Sequence, residues 1–207
     1  MKISIIGSGN VGGALARQLI SAGHIVIVGT RFPLSEKSIK LASFIGEDRF
    51  ATIEHAVQQA EVIVITCPPE AVISIISHMG NLEGKIIIDA TNSIRIKPQP
   101  YPTVFHAVKN LALGSRLVKC FNTTGFENLL NPRYGGHALD MFMAGDDMDA
   151  KKLVAQLASE IGFGNCFDFG GDDKVELLEQ LALCWINLAI LQKQGRDIGF
   201  KLLFRNQ

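Results

Sequence analysis

The feature that most constrains this chain is a glycine-rich segment, GSGNVG, that follows an apolar stretch at the N terminus. Its glycines stand at positions 7, 9 and 12. Residues 3–6 have the length of a buried strand, and Leu15 and Leu19 have the spacing of one helix face. A GxGxxG segment between a strand and a helix is typical of a dinucleotide-binding βαβ unit.

Each glycine of this loop has an expected role toward a pyrophosphate. Gly7 permits the tight turn, Gly9 lets the backbone approach the phosphates, and Gly12 lets the helix pack closely on the strand. The start of the helix attracts anions through its free N–H groups and its dipole. The backbone N–H groups expected to face the phosphates belong to Ser8, Asn10 and Val11.

The end of the second strand indicates which dinucleotide is bound. Residues 25–28 form this strand, and Thr30 and Arg31 follow where an NAD site has Asp or Glu. The next acidic residue is Glu36. A threonine hydroxyl can donate a hydrogen bond, and an arginine can pair with a 2′-phosphate and stack on adenine. The pair favours NADP.

Apolar runs of strand length alternate with segments of helical period through most of the chain. The pattern predicts helices at 35–46 and 53–59, an extended piece near Phe50, and strands at 62–66, 85–89 and 116–121. These strands lack polar alternation, which indicates burial on both faces. We therefore predict an α/β fold with a doubly wound (Rossmann) parallel sheet.

The pattern changes after residue 132. It predicts a strand in ALDMFMAG, a helix at about 147–161, a short strand in CFDF, and a nearly continuous, mostly apolar helix from about Asp173 to Phe204. We predict an NADP-binding Rossmann domain at 1–170 and a C-terminal helical segment at 171–207. The apolar character of that segment predicts that it packs on the domain and on a second subunit.

Ligands of doubly wound sheets bind at the carboxyl ends of the strands. The residues that follow three predicted strands are therefore candidates to contact ribose and nicotinamide. These candidates are Cys67, Pro68, Pro69, Thr91, Asn92 and Asn122. Thr123 and Thr124 follow the same strand as Asn122, and helix capping explains them equally well. The segment IRIKPQPYPTVF is predicted to be a long loop near this edge.

Composition excludes several classes of function. The chain has 20 basic and 20 acidic residues, so no net field attracts nucleic acid or an anionic membrane. Its apolar runs are far shorter than the roughly 20 residues that span a bilayer, and no signal-peptide pattern opens it, which predicts a cytoplasmic protein. Four dispersed cysteines and five histidines lack metal-site spacing, so no metal is expected.

No catalytic acid, base or nucleophile stands out, so the catalytic residues remain unassigned. Asp89 is expected to fix a loop and His106 to begin a helix. Hydride transfer between nicotinamide and a flavin-like small molecule needs mainly alignment, and it suits such a chain. Alternatives are a non-catalytic NADPH-binding redox sensor and a pyrroline-carboxylate or imine reductase. The latter, like a β-hydroxyacid dehydrogenase, is expected to have a longer C-terminal helical region.

Several segments together resemble the NADPH-dependent reductases of the deazaflavin coenzyme F420 and the related oxidoreductase domain of the STEAP metalloreductases. The resemblance covers nearly the whole chain, through GSGNVG, VGTR, CPPEAV, DATN, VKCFNTTGFENLLNP, MAGDD and ELLEQLALCWINLAI. It implies that residues 7–12, Thr30 and Arg31 hold the NADPH phosphates and adenine. It implies further that residues 67–69, 91–92 and 122 hold ribose and nicotinamide.

The resemblance also implies a homodimer with its C-terminal helices near the interface and the second-substrate pocket. CPPEAV and FNTTG are closer to the bacterial and STEAP-like branch than to the archaeal enzymes. The expected acceptor is therefore F420 or a flavin, FMN or FAD.

Overall fold

The computed structural model describes residues 1–205, which form an α/β fold around one eight-stranded sheet. The strands of the sheet are β1 (Lys2–Ile6), β2 (Ile25–Gly29), β3 (Phe50–Ala51), β4 (Val62–Ile65), β5 (Ile86–Asp89), β6 (Arg116–Cys120), β9 (Met141–Ala144) and β10 (Cys166–Asp168). A hairpin of β7 (Arg133–Tyr134) and β8 (His137–Ala138) lies outside the sheet. The strand order in the sheet is β10-β9-β6-β5-β4-β1-β2-β3.

Helices cover both faces of the sheet. They are α1 (Asn10–Ser21), α2 (Glu36–Ile45), α3 (Ile53–Gln59), α4 (Val72–Ile76), α5 (Val104–Leu111), α6 (Phe126–Leu130), α7 (Met148–Glu160) and α8 (Val175–Ile186). Strands β4 and β5 are buried on both faces, so their runs VIVI and IIID feed two apolar cores, one on each side of the sheet. The predicted doubly wound architecture is confirmed.

Two strands depart from the predicted parallel sheet. β9 runs antiparallel to β6, and β10, which pairs in parallel with β9, shares its reversed direction. The connection between β6 and β9 contains only the short helix α6 and the β7–β8 hairpin. Because it lacks a long crossover helix, it places β9 beside β6 in the opposite direction. The sheet is therefore mostly parallel, because six of its eight strands run in one direction and present their carboxyl ends at one edge. These strands are β3, β2, β1, β4, β5 and β6.

Two predictions about helices need correction. The proline-bearing stretch predicted as a loop ends earlier, because Thr103 caps α5 by accepting a hydrogen bond from the His106 N–H. The helical C-terminal segment ends at Leu191 rather than near Phe204. Lys193 and Gly195 then take positive φ values of 58° and 87°, which a helix does not permit.

The chain after Gly195 returns to the sheet domain as an extended strap, defined as residues 196–205. The Asp140 N–H donates to the Phe200 carbonyl, and the Leu202 N–H donates to the Asp140 carboxylate. The Trp185 indole donates to the Ile198 carbonyl at 2.7 Å. Side chains and main chain thus fix the strap without helical hydrogen bonds. Within the described part of the chain, no helix is long and apolar enough to cross a bilayer.

Candidate functional site: a cleft at the carboxyl edge of the sheet

The glycine-rich loop is held tightly from behind. Gly7 has a φ of 119°, and its N–H donates to the Gly29 carbonyl at 3.1 Å. A Cβ on Gly12 would lie 2.1 Å from the Gly7 carbonyl oxygen, so α1 approaches the loop as closely as a side-chain-free residue permits. The Thr66 hydroxyl, on the neighbouring strand end, also contacts the Ile6 and Gly7 carbonyls at 3.0 and 3.2 Å. These contacts fix the turn between β1 and α1.

The front of the loop is open. A Cβ on Gly9 would meet nothing within 4 Å, although Gly9 has an ordinary extended backbone with a φ of −72°. Gly9 caps α1 and contributes no side-chain hydrogen bond there, and the first turn of α1 has no acidic residue. The N–H groups at this 12-residue helix start are therefore available to an anion. The loop fits a dinucleotide pyrophosphate.

A cleft of about 560 Å³ extends from this loop across the carboxyl ends of β2, β1, β4 and β5. Most of the predicted site residues line it. They are Gly7, Ser8, Gly9, Val11, Thr30, Arg31, Cys67, Pro68, Pro69, Thr91 and Asn92. Three others do not: the Asn10 side chain is exposed outside the cleft, Gly12 lies behind the loop, and Asn122 is buried behind Asn92.

The β2 end of the cleft is basic. Arg31 and Lys37 line it, and among the cleft-lining residues that the structure describes none is acidic. The Thr30 hydroxyl oxygen accepts from the Phe32 N–H at 3.1 Å, so its own hydrogen is available to a ligand. Lys37 lies in the first turn of α2, which Ser35 caps. Sequence reasoning missed Lys37, because its position at the cleft depends on where α2 begins.

The β4 end of the cleft is apolar and has no reactive side chain among the described residues that line it. Cys67 is 4% exposed, and burial, with a smaller effect of the Asp89 charge, raises the pKa of its thiol to about 12. The thiol is therefore protonated at neutral pH and is a poor nucleophile. Pro68 and Pro69 continue this wall of the cleft. Contact with a ligand, rather than covalent chemistry, is what these residues can offer.

The β5 and β6 ends are joined by a pair of asparagines. The Asn92 amide donates to the Asn122 carbonyl at 2.8 Å, and the Asn122 amide donates to the Asn92 side-chain oxygen at 3.0 Å. Phe121, directly after β6, has a φ of 63°, an uncommon value for a bulky residue. The resulting bend brings Asn122 against Asn92. The Asn122 side-chain oxygen is buried without a hydrogen-bond partner.

Beneath this end lies a buried ion cluster, defined as Lys119, Asp89 and Glu179. The Lys119 ammonium donates to Asp89 at 2.9 Å, to Glu179 at 2.8 Å and to the Thr91 carbonyl at 2.7 Å. Asp89 also accepts from the N–H and hydroxyl of Thr91, and Glu179 accepts from the Ser93 N–H. The cluster therefore anchors loop 90–93 to β6 and α8. The two carboxylates raise the pKa of Lys119 despite its burial.

Sequence reasoning placed Asp89 correctly as a loop-fixing residue but missed Lys119 and Glu179. A signal for Lys119 was present, because a lysine in the apolar strand RLVKC requires a buried partner, and Asp89 pairs with it across β5 and β6. Glu179 had no comparable signal, since its contact depends on the docking of α8. Among residues 1–205, no group of three or more His, Cys, Asp and Glu is arranged to hold a metal ion.

The comparisons with known proteins agree with this geometry. Residues 2–93, which include the glycine loop, the basic end and the ion cluster's Asp89, match the family model "NADP oxidoreductase coenzyme F420-dependent". The F420-dependent NADP reductase of Methanothermobacter thermautotrophicus is 29% identical, over 98% of this chain and 94% of that protein. This chain is therefore similar in sequence to this oxidoreductase family, over residues 2–93 by the family model and over nearly its whole length by the archaeal relative. The resemblance found in the sequence is thereby confirmed.

Two further family relatives mark the extent of the likeness. Rat metalloreductase STEAP3 is 30% identical over 78% of this chain, but the match spans only 32% of the rat protein's own length. The crystal structure of a putative F420-dependent NADP reductase from Arthrobacter sp. FB24 has a TM-score of 0.86 at 25% identity, covering 99% of this chain and 100% of that one. The fold of that crystal structure is therefore shared over nearly the whole of this chain.

Proposed function

We propose that this chain binds NADP(H) in the cleft and transfers a hydride between NADP(H) and a flavin or deazaflavin acceptor. The observation that carries the proposal is the basic, acid-free β2 end of a cleft that begins at an open glycine loop. Arg31 and Lys37 supply positive charge where an NAD site has a carboxylate. The name of the family model supports the same cofactor.

The proposed orientation follows from the order of the strands. The 2′-phosphate and adenine lie at the β2 end against Thr30, Arg31 and Lys37, and the pyrophosphate lies on the backbone of residues 7–11. The nicotinamide and its ribose then lie at the β4 and β5 ends, near residues 67–69 and 91–92. Asn122 acts through Asn92, which it holds by two hydrogen bonds.

The proposed acceptor is an aromatic small molecule rather than one that needs protonation by the protein. The cleft-lining residues at the β4 and β5 ends carry no charge, and the Cys67 thiol is protonated. Stacking and alignment of two rings need no side-chain acid. F420 is the acceptor expected from the names of the archaeal relatives, and FMN and FAD are the alternatives.

The first experiment is a calorimetric titration with NADPH and NADH, followed by addition of F420, FMN and FAD while nicotinamide absorbance is recorded. We expect NADPH to bind more tightly and one acceptor to cause its oxidation. Tight binding without turnover on any of the three supports a redox sensor instead. Turnover on a cyclic imine alone supports the imine reductase alternative.

Replacement of Arg31 tests the cofactor assignment. Arg31→Ala is expected to weaken NADPH binding about tenfold or more and to change NADH binding little, because a charge-assisted contact to the 2′-phosphate is lost. Titrations with both nucleotides measure the effect. Arg133→Ala, an exposed arginine on the β7–β8 hairpin, is the control. Equal losses for NADPH and NADH would exclude the 2′-phosphate role.

We also propose the predicted division at residue 170 and a homodimer formed through the C-terminal helix. Leu188 and Leu191 lie 41% and 56% exposed in a π-helical turn that extends α8. They line an open groove of about 600 Å³ with Gln180, Leu183, Cys184 and Asn187. An apolar surface of this kind on a helix end is suited to a second copy of the same helix.

A further inference from the structure

The ion cluster beneath loop 90–93 carries one excess negative charge. Lys119 and Asp89 are 0% exposed and Glu179 is 5% exposed, so one ammonium is buried with two carboxylates. Asp89 accepts three hydrogen bonds and Glu179 accepts two. No other charged side chain among residues 1–205 is bonded to the cluster.

The cluster is close to the cleft. The Thr91 backbone and hydroxyl both bond to Asp89, the Thr91 carbonyl bonds to Lys119, and Thr91 itself lines the cleft. The cleft residues at this end are Cys67, Pro68, Pro69, Ala90, Thr91 and Asn92, and none of them is charged. Within a buried, poorly screened region, the excess charge therefore acts on whatever ring lies against loop 90–93.

We propose that the Lys119–Asp89–Glu179 cluster makes the cleft bind NADP⁺ in preference to NADPH. The inference rests on the proposed function, which places nicotinamide at this end. The oxidised nicotinamide ring carries a positive charge and the reduced ring is neutral, so the excess negative charge stabilises the oxidised form. Hydride transfer moves two electrons and a proton from nicotinamide to the acceptor, and the cluster thereby favours donation from bound NADPH.

The test compares the dissociation constants of NADP⁺ and NADPH for the wild type and two single variants. Glu179→Gln and Asp89→Asn each remove one negative charge from opposite sides of Lys119, so either variant that folds is informative. Each is expected to raise the ratio of the NADP⁺ to the NADPH dissociation constant about five- to tenfold. Glu176→Gln removes an exposed carboxylate one turn earlier and is expected to leave the ratio unchanged.

A double variant separates charge from position. Lys119→Met with Glu179→Gln leaves the single charge of Asp89, so the ratio is expected to match that of the wild type even if both nucleotides bind more weakly. Circular dichroism and thermal unfolding show which variants are folded. If the single variants weaken both nucleotides equally, the cluster only holds the loop and the proposal is wrong. A wild type that binds neither nucleotide instead removes the proposed function itself.

Discussion

At the scale of single residues, the glycine loop separates two roles that share one motif. Gly12 is enclosed, with the Gly7 carbonyl 2.1 Å from where a Cβ would lie, whereas Gly9 faces open space. Spacing alone predicted the close packing at Gly12, which the structure shows. The role of Gly9 toward phosphate stays a prediction, with which its open surroundings are compatible. Sequence reasoning did not identify Lys37 or Glu179, whose positions depend on how α2 and α8 pack.

Alanine substitutions at these two glycines are expected to fail in different ways. Gly9→Ala should fold with nearly unchanged thermal stability, since its backbone is ordinary, but should weaken NADPH binding about tenfold by filling the space for phosphate. Gly12→Ala should unfold at a clearly lower temperature because α1 must move away from β1. Thermal melts and NADPH titrations measure both effects. A Gly12→Ala protein as stable as the wild type would contradict the enclosed role.

At the scale of elements, the order of strands and helices up to α4 could be predicted from apolar periodicity. Parallel strands that are buried on both faces appear in the sequence as continuous apolar runs. The direction of β9 did not follow, because a strand's own sequence does not record which way its connection returns. The end of the C-terminal helix was also missed. Apolar residues continue into the strap, but they do not extend α8. Phe200 packs against the core of the sheet domain, and main-chain groups of Ile198 and Leu202 form hydrogen bonds with side chains.

Helix α7 depends on a cap shared with β6. Asp147 accepts from the Ala150 N–H at 2.8 Å, and Arg116 donates to both carboxylate oxygens at 2.8 and 2.7 Å. The Arg116 hydrogen bonds hold the pKa of Asp147 well below its usual range. A carboxyl whose pKa is lowered by folding stabilises the protein above its unfolded pKa of about 3.9, and this contribution is lost as the pH falls toward the folded pKa.

Asp147→Asn is therefore expected to lower the free energy of unfolding by about 1 kcal/mol at pH 7, allowing for solvent screening of a partly exposed pair. The difference in unfolding free energy between the variant and the wild type should shrink as the pH falls below about 4, because the stabilisation by the ionised Asp147 carboxylate is then progressively lost. Urea unfolding at several pH values measures it. Asp149→Asn, an exposed neighbour in the same first turn, is the control. A difference independent of pH would rule out the charged pair.

At the scale of the whole molecule, the C-terminal segment ties the cleft to the surface proposed for dimerisation. Glu179 of α8 bonds to Lys119 and to loop 90–93, and the same helix leads into the exposed Leu188 and Leu191. The cleft itself was predictable because the carboxyl ends of parallel strands always meet at one edge. Its link to the C terminus was not, because that link is a buried contact between distant parts of the chain.

The homodimer is tested by charging its proposed surface. Leu188→Glu with Leu191→Glu is expected to convert a dimer into a monomer in sedimentation velocity, because carboxylates would be buried against a second copy. Leu113→Glu, at a position 76% exposed near the start of β6, should leave the dimer intact. A wild type that sediments as a monomer at micromolar concentration would contradict the assignment.

The strap's contact with Trp185 gives the molecule a built-in optical reporter. Trp185 is the only tryptophan in the chain, it is 4% exposed, and its indole is bonded to Ile198 and lies 5.4 Å from the Arg196 guanidinium. Its emission is therefore expected to change when the strap loses its contact with Trp185. Because NADPH absorbs where tryptophan emits, the same side chain can also serve as an energy-transfer donor to a nucleotide in the cleft. Fluorescence of one unlabelled sample therefore measures both strap attachment and nucleotide binding.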